Sequence, residues 1–308
     1  MGRDRVHYKG MMSDSARWDA ITLRADDIII TTPAKCGTTW TQMICALLIL
    51  QTTTFDQPLG VISPWPDMLT RNIDDIVADL DAQRHRRFIK SHTPLDGLPD
   101  EPGITYIGVG RDPRDACLSW DNHASNNDAI AMFTARHYAV GLDDIADELA
   151  KGPPERPEDP MERFWNWMDD DASPNEAFNL AGLVHHLSQM WARRHEPNVI
   201  LLRYEDLEAD LEGEMRRLAA RLGVAVDEPR WPELVAAASF ANMRANADTI
   251  APESSQKLWH DNRQFFNTGH SGGWQDLLDS DDVARYARRV RSLADPELVE
   301  WLHPAGLA

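Results

Sequence analysis

Cysteine is scarce: the 308 residues hold three, Cys36, Cys45 and Cys117, with no CxxC pair among them. That excludes a disulfide framework and a paired-cysteine zinc site, and makes free thiols in a reducing compartment, the cytoplasm, the expectation. Long apolar runs are missing too. The longest, "MICALLIL", has eight residues, against about 20 needed to cross a bilayer, so no stable membrane insertion is expected. The stretch "MGRDRVHYKGMMSDSARWDA" carries no apolar core of an export signal, and Val6 breaks the myristoylation pattern. Basic residues are outnumbered, 31 against 50 acids, for a net charge of −19. Such a balance argues against a nucleic-acid surface, but not against a small anion met by a few cations gathered in one place. His185, His186 and His195 lack HExxH or paired-cysteine spacing, so no metal is expected.

Among the features present are strand-like runs, "DIIIT" (27–31), "RFIKS" (87–91), "ITYIGVG" (104–110) and "VILLRY" (199–204), separated by segments of helix length. This alternation predicts an α/β fold with a central parallel sheet flanked by helices. With 43% hydrophobic residues the chain can fill a core, and residues 1–308 read as one domain. The acidic, proline-punctuated stretch 141–175, which carries Trp165 and Trp167, reads as a helical excursion or lid on that domain. From Tyr204 a helix is expected with Leu207, Leu211, Met215, Leu218 and Leu222 on one stripe, stopped by Gly223.

The stretch "TTPAKCGTTWTQM" (31–43) joins the first strand to the first helix, as a phosphate-binding loop does. Gly37 lets the backbone bend close to a ligand, Thr38 and Thr39 open a helix whose N–H groups suit an anion, and Lys35 adds a point charge. A nucleoside triphosphate with magnesium fits poorly, because the loop lacks the GK[ST] ending and no acidic metal partner is evident. His92 follows a strand-like run, at a sheet edge where open α/β folds bind ligands, and an imidazole suits proton abstraction at neutral pH. Lys35 and Lys90, beside apolar strands, are candidates to stabilise developing negative charge.

Four segments in order carry a resemblance. "PAKCGTTW" resembles the PKSGTTW phosphosulfate loop of the cytosolic sulfotransferase family; "FIKSHTPLDGLP" resembles its KTHLP-type segment, and "YIGVGRDPRDACLSW" its 3′-phosphate-binding stretch. "RYEDL" followed by "ASFANM" resembles its adenine-side elements. The resemblance spans roughly residues 25–280. It implies sulfonate transfer from 3′-phosphoadenosine 5′-phosphosulfate to a hydroxyl, less readily an amine, of a small acceptor, without a metal. On this resemblance the phosphosulfate loop is Lys35, Cys36, Gly37, Thr38 and Thr39, Lys35 faces the leaving oxygen, and Lys90 lies near the sulfonate. His92 is the general base, Arg111 and Ser119 bind the 3′-phosphate, and Trp40, Tyr204, Phe240 and Met243 form the adenine pocket. Arg114 and Asp115 read as first-turn surface charges.

The resemblance breaks where family members carry RKGxxGDW. Here "FFNTGHSGGWQ" (265–275) keeps Gly269, Gly272 and Trp274 but puts Asn267 and Thr268 in place of two cations. Each lost charge-assisted bond costs about 1.5–3 kcal/mol, roughly ten- to a hundredfold in affinity. The groups at hand to compensate are amides around Gly269, the Thr268 hydroxyl, His270 and Arg263. Trp65, Trp120, Trp165, Trp167 and Met190 are candidates for an apolar acceptor pocket, with core packing as the alternative. The family's dimer motif is not visible, so oligomeric state stays open. Two other readings are a P-loop small-molecule kinase and a nucleotide-binding relative without catalysis.

Overall fold

A computed structural model of the chain describes residues 5–153, 155–172, 178–252, 256–267 and 269–307. The described residues form a parallel sheet of four strands, β1 (Ile28–Thr31), β2 (Phe88–Ser91), β3 (Thr105–Gly110) and β4 (Val199–Arg203). Their order is β2-β1-β3-β4, with Ile30 opposite both Lys90 and Ile107. The strands are short and almost wholly buried, as parallel strands covered by helices on both faces are. Asp27 and Arg87, just outside the observed strands, form a buried ion pair in which Arg87 Nε donates to Asp27 Oδ1 at 2.8 Å. Their side chains clamp the entry to β1 and β2.

The chain leaves β1 toward one side of the sheet to make β2, then returns to the other side for β3 and β4. The crevice between β1 and β3 is thus the point where strand order reverses, the usual ligand position in open α/β sheets. Predicted site residues follow the end of every strand: Lys35 after β1, His92 after β2, Arg111 after β3 and Tyr204 after β4. Helix α1 (Thr38–Leu50) is buried from Thr38 to Leu48, all round rather than on one face. A helix apolar on every side is one enclosed by its neighbours.

One expectation about helices changes. The stripe from Tyr204 is split at Asp210 into Tyr204–Ala209 and Leu211–Leu222, because the Asp210 carboxylate accepts from Gly213 N at 2.9 Å and caps the second helix. Gly223 stops it in the left-handed region at φ 67, as expected. Within 141–175, the helix Pro160–Asp169 is part of the core: Phe164, Trp165 and Met168 are buried beside Leu183, Leu187 and Tyr286. Its apolar residues Met161, Phe164, Trp165 and Met168 recur at three- and four-residue spacing, which turns one face to the core. Residues 154 and 173–175 of that stretch lie outside the described residues.

Candidate active site

The loop after β1 is built from two residues in the left-handed region, Lys35 at φ 65 and Gly37 at φ 101. Gly37 caps α1 without a side-chain bond, so the first amides of the helix have no intrahelical acceptor. A Cβ at Gly37 would stand 3.1 Å from Tyr204 Cδ2, tighter than ordinary contact. Glycine is therefore required for both conformation and close approach. The Thr38 and Thr32 hydroxyls lie 2.5 Å apart, which ties the helix start to the strand end.

Two cations meet over this loop. Arg111 stacks its guanidinium 4.1 Å from the centre of the Tyr204 ring and donates through Nη1 to Lys35 O at 3.0 Å. Its Nε is buried with no hydrogen-bond partner. Lys35 Nζ lies 3.2 Å from His123 Nδ1 and 4.4 Å from the centre of the Phe265 ring. Burial, then the charges of Arg111 and Lys90, bring the Lys35 amine down to about 7. Lys90 projects from β2 with its ammonium 3.6 Å from the Trp65 ring centre. An orphaned guanidinium N–H, an uncapped helix N-terminus and two lysine amines make a donor set fitted to phosphate or sulfate oxygens. Among the described residues, no group of three or more His, Cys, Asp or Glu could hold a metal ion.

His92 sits where β2 ends, and its Nδ1 is 2.7 Å from the carbonyl oxygen of Thr32. A carbonyl only accepts, so Nδ1 carries the proton and Nε2 the lone pair. Burial, then the nearby Lys90 charge, push the ring's pKa well below the usual histidine value, leaving it neutral at pH 7. Below it the buried Asp67 carboxylate takes hydrogen bonds from Ser91 Oγ at 2.5 Å, Thr93 Oγ1 at 2.9 Å and His92 N at 3.3 Å. That arrangement fixes the turn that presents His92. His186, cited from the sequence only for lacking metal-ligand spacing, lines the same cavity and lies 3.1 Å from Thr31 Oγ1.

These groups line one cavity of about 750 Å³. Trp40, Tyr204, Phe240, Asn267 and Gly269 are among its lining residues. Gly269 has φ 68, and a Cβ there would fall 2.5 Å from the Phe240 ring, so ring and backbone are in direct contact. Trp40 is fixed by its Nε1 donating to Ala238 O at 2.8 Å. Met11, Met68, Trp120, Met132 and Phe178 add apolar lining.

A model of the sulfotransferase domain matches residues 25–301. The chain belongs to the sulfotransferase family. It is 41% identical over 313 residues to a glycolipid sulfotransferase of Mycobacterium bovis, covering 97% of this chain and 94% of that protein. The glycolipid sulfotransferase of Mycobacterium tuberculosis is 41% identical over 310 residues, with the same coverage. Among solved structures, retinol dehydratase in complex with retinol and PAP matches with a TM-score of 0.66 at 19% identity, covering 94% of this chain and 90% of that one. Mouse sulfotransferase SULT7A1 complexed with PAP matches with a TM-score of 0.64 at 17% identity, covering 95% and 93%. These two likenesses are of fold.

In this sulfotransferase the cavity gathers Lys35, Gly37, Thr38, Thr39, Trp40, Lys90, His92, Arg111, Ser119, Tyr204, Phe240, Asn267 and Gly269, all singled out from sequence. Cys36 differs: its side chain is fully buried in a core cluster with Ala116 and Leu183, its thiol is pushed up to about 12 by burial, its N–H donates to Pro33 O at 3.4 Å, and it is not among the cavity-lining residues. Met243 is buried in the main core and is not among the cavity-lining residues. Thr268 lies outside the described residues. Of the acceptor candidates Trp65, Trp120 and Trp167 line the cavity, whereas Trp165 donates to Asp282 at 3.2 Å and Met190 packs on Gly108.

Arg114 and Asp115 are not surface charges. Arg114 is wedged 3.5 Å over the Trp274 ring and pairs with Asp112, and Asp115 accepts from Gly272 N at 2.7 Å. His270 is exposed and lies 3.1 Å from a Glu208 oxygen, while Ser271 N donates to Glu208 at 3.1 Å. Two amides of this glycine-rich turn are thus spent on carboxylates. Arg263 is exposed and does not line the cavity. His123, Asp67 and Tyr8 also line the site, and the sequence reading did not single them out.

Proposed function

We propose that this sulfotransferase takes 3′-phosphoadenosine 5′-phosphosulfate as donor and sulfonates a hydroxyl of a glycolipid-type acceptor, with His92 as general base. The observation that carries the base assignment is the His92 Nδ1–H bond to Thr32 O at 2.7 Å, which commits Nε2 to accepting a proton in a ring that burial keeps neutral. A positioned base with that protonation state is what a weakly nucleophilic hydroxyl requires. The donor, when bound, supplies an activated sulfonate on a phosphate leaving group. Lys35 and Lys90 then provide positive charge without a metal, and Arg111 with Ser119 holds an anionic group beyond the loop. The donor choice is supported by the match between this donor set and phosphate oxygens, and by PAP in both solved relatives.

The acceptor class draws on the two mycobacterial relatives and on the apolar lining of the cavity, in which Met11 and Phe178 are exposed. Such a lining suits an alkyl-bearing molecule whose hydroxyl reaches His92. A reducing compartment is supported by the three buried, unpaired cysteines. The test is transfer of labelled sulfonate from the donor, without magnesium, to a panel of glycolipids, phenols and sterols. Labelling of glycolipids above the rest is expected. Labelling of phenols alone would overturn the acceptor class, and ATP-dependent phosphorylation in its place would overturn the reaction.

A further inference from the structure

We infer that His123 is the positioning residue for Lys35: its Nδ1 accepts the hydrogen bond of the Lys35 side chain at 3.2 Å and fixes that nitrogen beside the Phe265 ring. The inference rests on the sulfotransferase reading, in which Lys35 is the cation next to the leaving group. A lysine has a flexible four-carbon stem and three rotatable donors, so without a directional partner its charge is not held at one point. Arg111 and Lys90, its charged neighbours, repel it, and the Phe265 face attracts it without direction. His123 Nδ1 supplies the direction.

His123 is itself held. Its ring lies 4.7 Å from Trp259, 5.4 Å from Trp120 and 5.7 Å from Phe265, centre to centre. It stands one turn beyond Ser119 on the helix Pro113–Asn126, so the two share the helix face that lines the cavity. Burial, reinforced by the Lys35 charge, keeps the ring neutral. In a neutral ring whose Nδ1 accepts, the proton is on Nε2. The cleft therefore uses two neutral histidines in opposite tautomers: His92 presents a lone pair at Nε2, and His123 presents one at Nδ1 to Lys35.

The test compares two substitutions that separate the acceptor atom from the ring. His123→Asn keeps an acceptor oxygen near the place of Nδ1 but loses the aromatic packing, whereas His123→Phe keeps the ring and loses the acceptor. The expected result is a kcat for His123→Asn at least about tenfold above that of His123→Phe, the size of one hydrogen bond to a charged group. Donor KM should stay within about threefold of wild type in both. Equal activities, or a more active Phe variant, would overturn the inference in favour of plain packing. A second measurement needs no change at His123: 15N shifts of the wild-type imidazoles should show an unprotonated Nδ1 on His123 that moves in Lys35→Met. A protonated Nδ1 there overturns the inference whatever the variants do. A wild-type chain that transfers sulfonate to nothing would instead remove the functional reading, and the tautomer would still decide the Lys35–His123 contact.

Discussion

Arg111 donates to the carbonyl oxygen of Lys35 at 3.0 Å, so the end of β3 is bonded to the loop that follows β1. The bond places two cations side by side in a buried crevice, and it is Lys35 that yields, with its amine brought down to about 7. A bound anion reverses that pressure. The Lys35 pKa is low in the free chain and rises when a phosphate or sulfate arrives, so the complex holds more protons than the free chain above pH 7. Affinity for PAP should therefore fall as pH rises beyond 7, by up to about tenfold per pH unit for one proton. Calorimetry in buffers of different ionisation enthalpy should detect proton uptake on binding, and Lys35→Met should abolish it. Uptake that survives this substitution would assign the proton to another group.

His92→Ala should lower kcat by at least ~10²-fold while leaving PAP affinity within about twofold. Because the ring's pKa lies well below 6.5, the neutral, base-competent form persists as pH falls through that value. The acid limb of kcat should accordingly lie below pH 6.5. A pH–rate profile bending at or above 6.5, or an active alanine variant, would take the base role from His92.

Asn267→Arg should tighten PAP binding by about tenfold, equivalent to one charge-assisted hydrogen bond of ~1.5 kcal/mol. Asn267 is exposed at the cavity edge, so a longer side chain has room to reach inward. Competitive displacement of a labelled nucleotide reads the change. Unaltered affinity would mean that Arg111 and the loop amides already saturate the anion.

Arg114→Lys should cost stability and not donor binding. Its guanidinium pairs with Asp112 through Nε at 3.0 Å and Nη2 at 2.7 Å and lies between Trp274 and Tyr286. A lysine keeps the charge but not the fork or the stacking, a loss of about 2 kcal/mol. Denaturant titration should show it with PAP affinity within about twofold. Lost affinity at unchanged stability would move Arg114 into the donor site.

The sequence shows some of this directly and hides the rest for physical reasons. Lys35, His92, Arg111 and Tyr204 are legible because each comes just after an apolar run, and in a parallel sheet all strand ends of one polarity converge on one edge. Arg114 is not legible, since the aromatic residues that enclose it, Trp274 and Tyr286, are far along the chain. His123 is hidden likewise: it sits in the polar run "DNHASN", 88 residues from Lys35, and nothing local separates it from a surface histidine. The turn at Asp210 shows the opposite failure, where a regular apolar period masks a local side-chain cap.

The burial of the Cys36 side chain has a kinetic side. In the loop proposed to hold the anion, the Cys36 thiol is packed among apolar groups and the Lys35 carbonyl accepts from Arg111. A loop held in this way is already in its working shape before the nucleotide arrives, and little chain entropy is left to lose on contact. Capture of the donor should then be a matter of encounter and desolvation. Thiol-directed reagents that inactivate enzymes with accessible cysteines should find no purchase here.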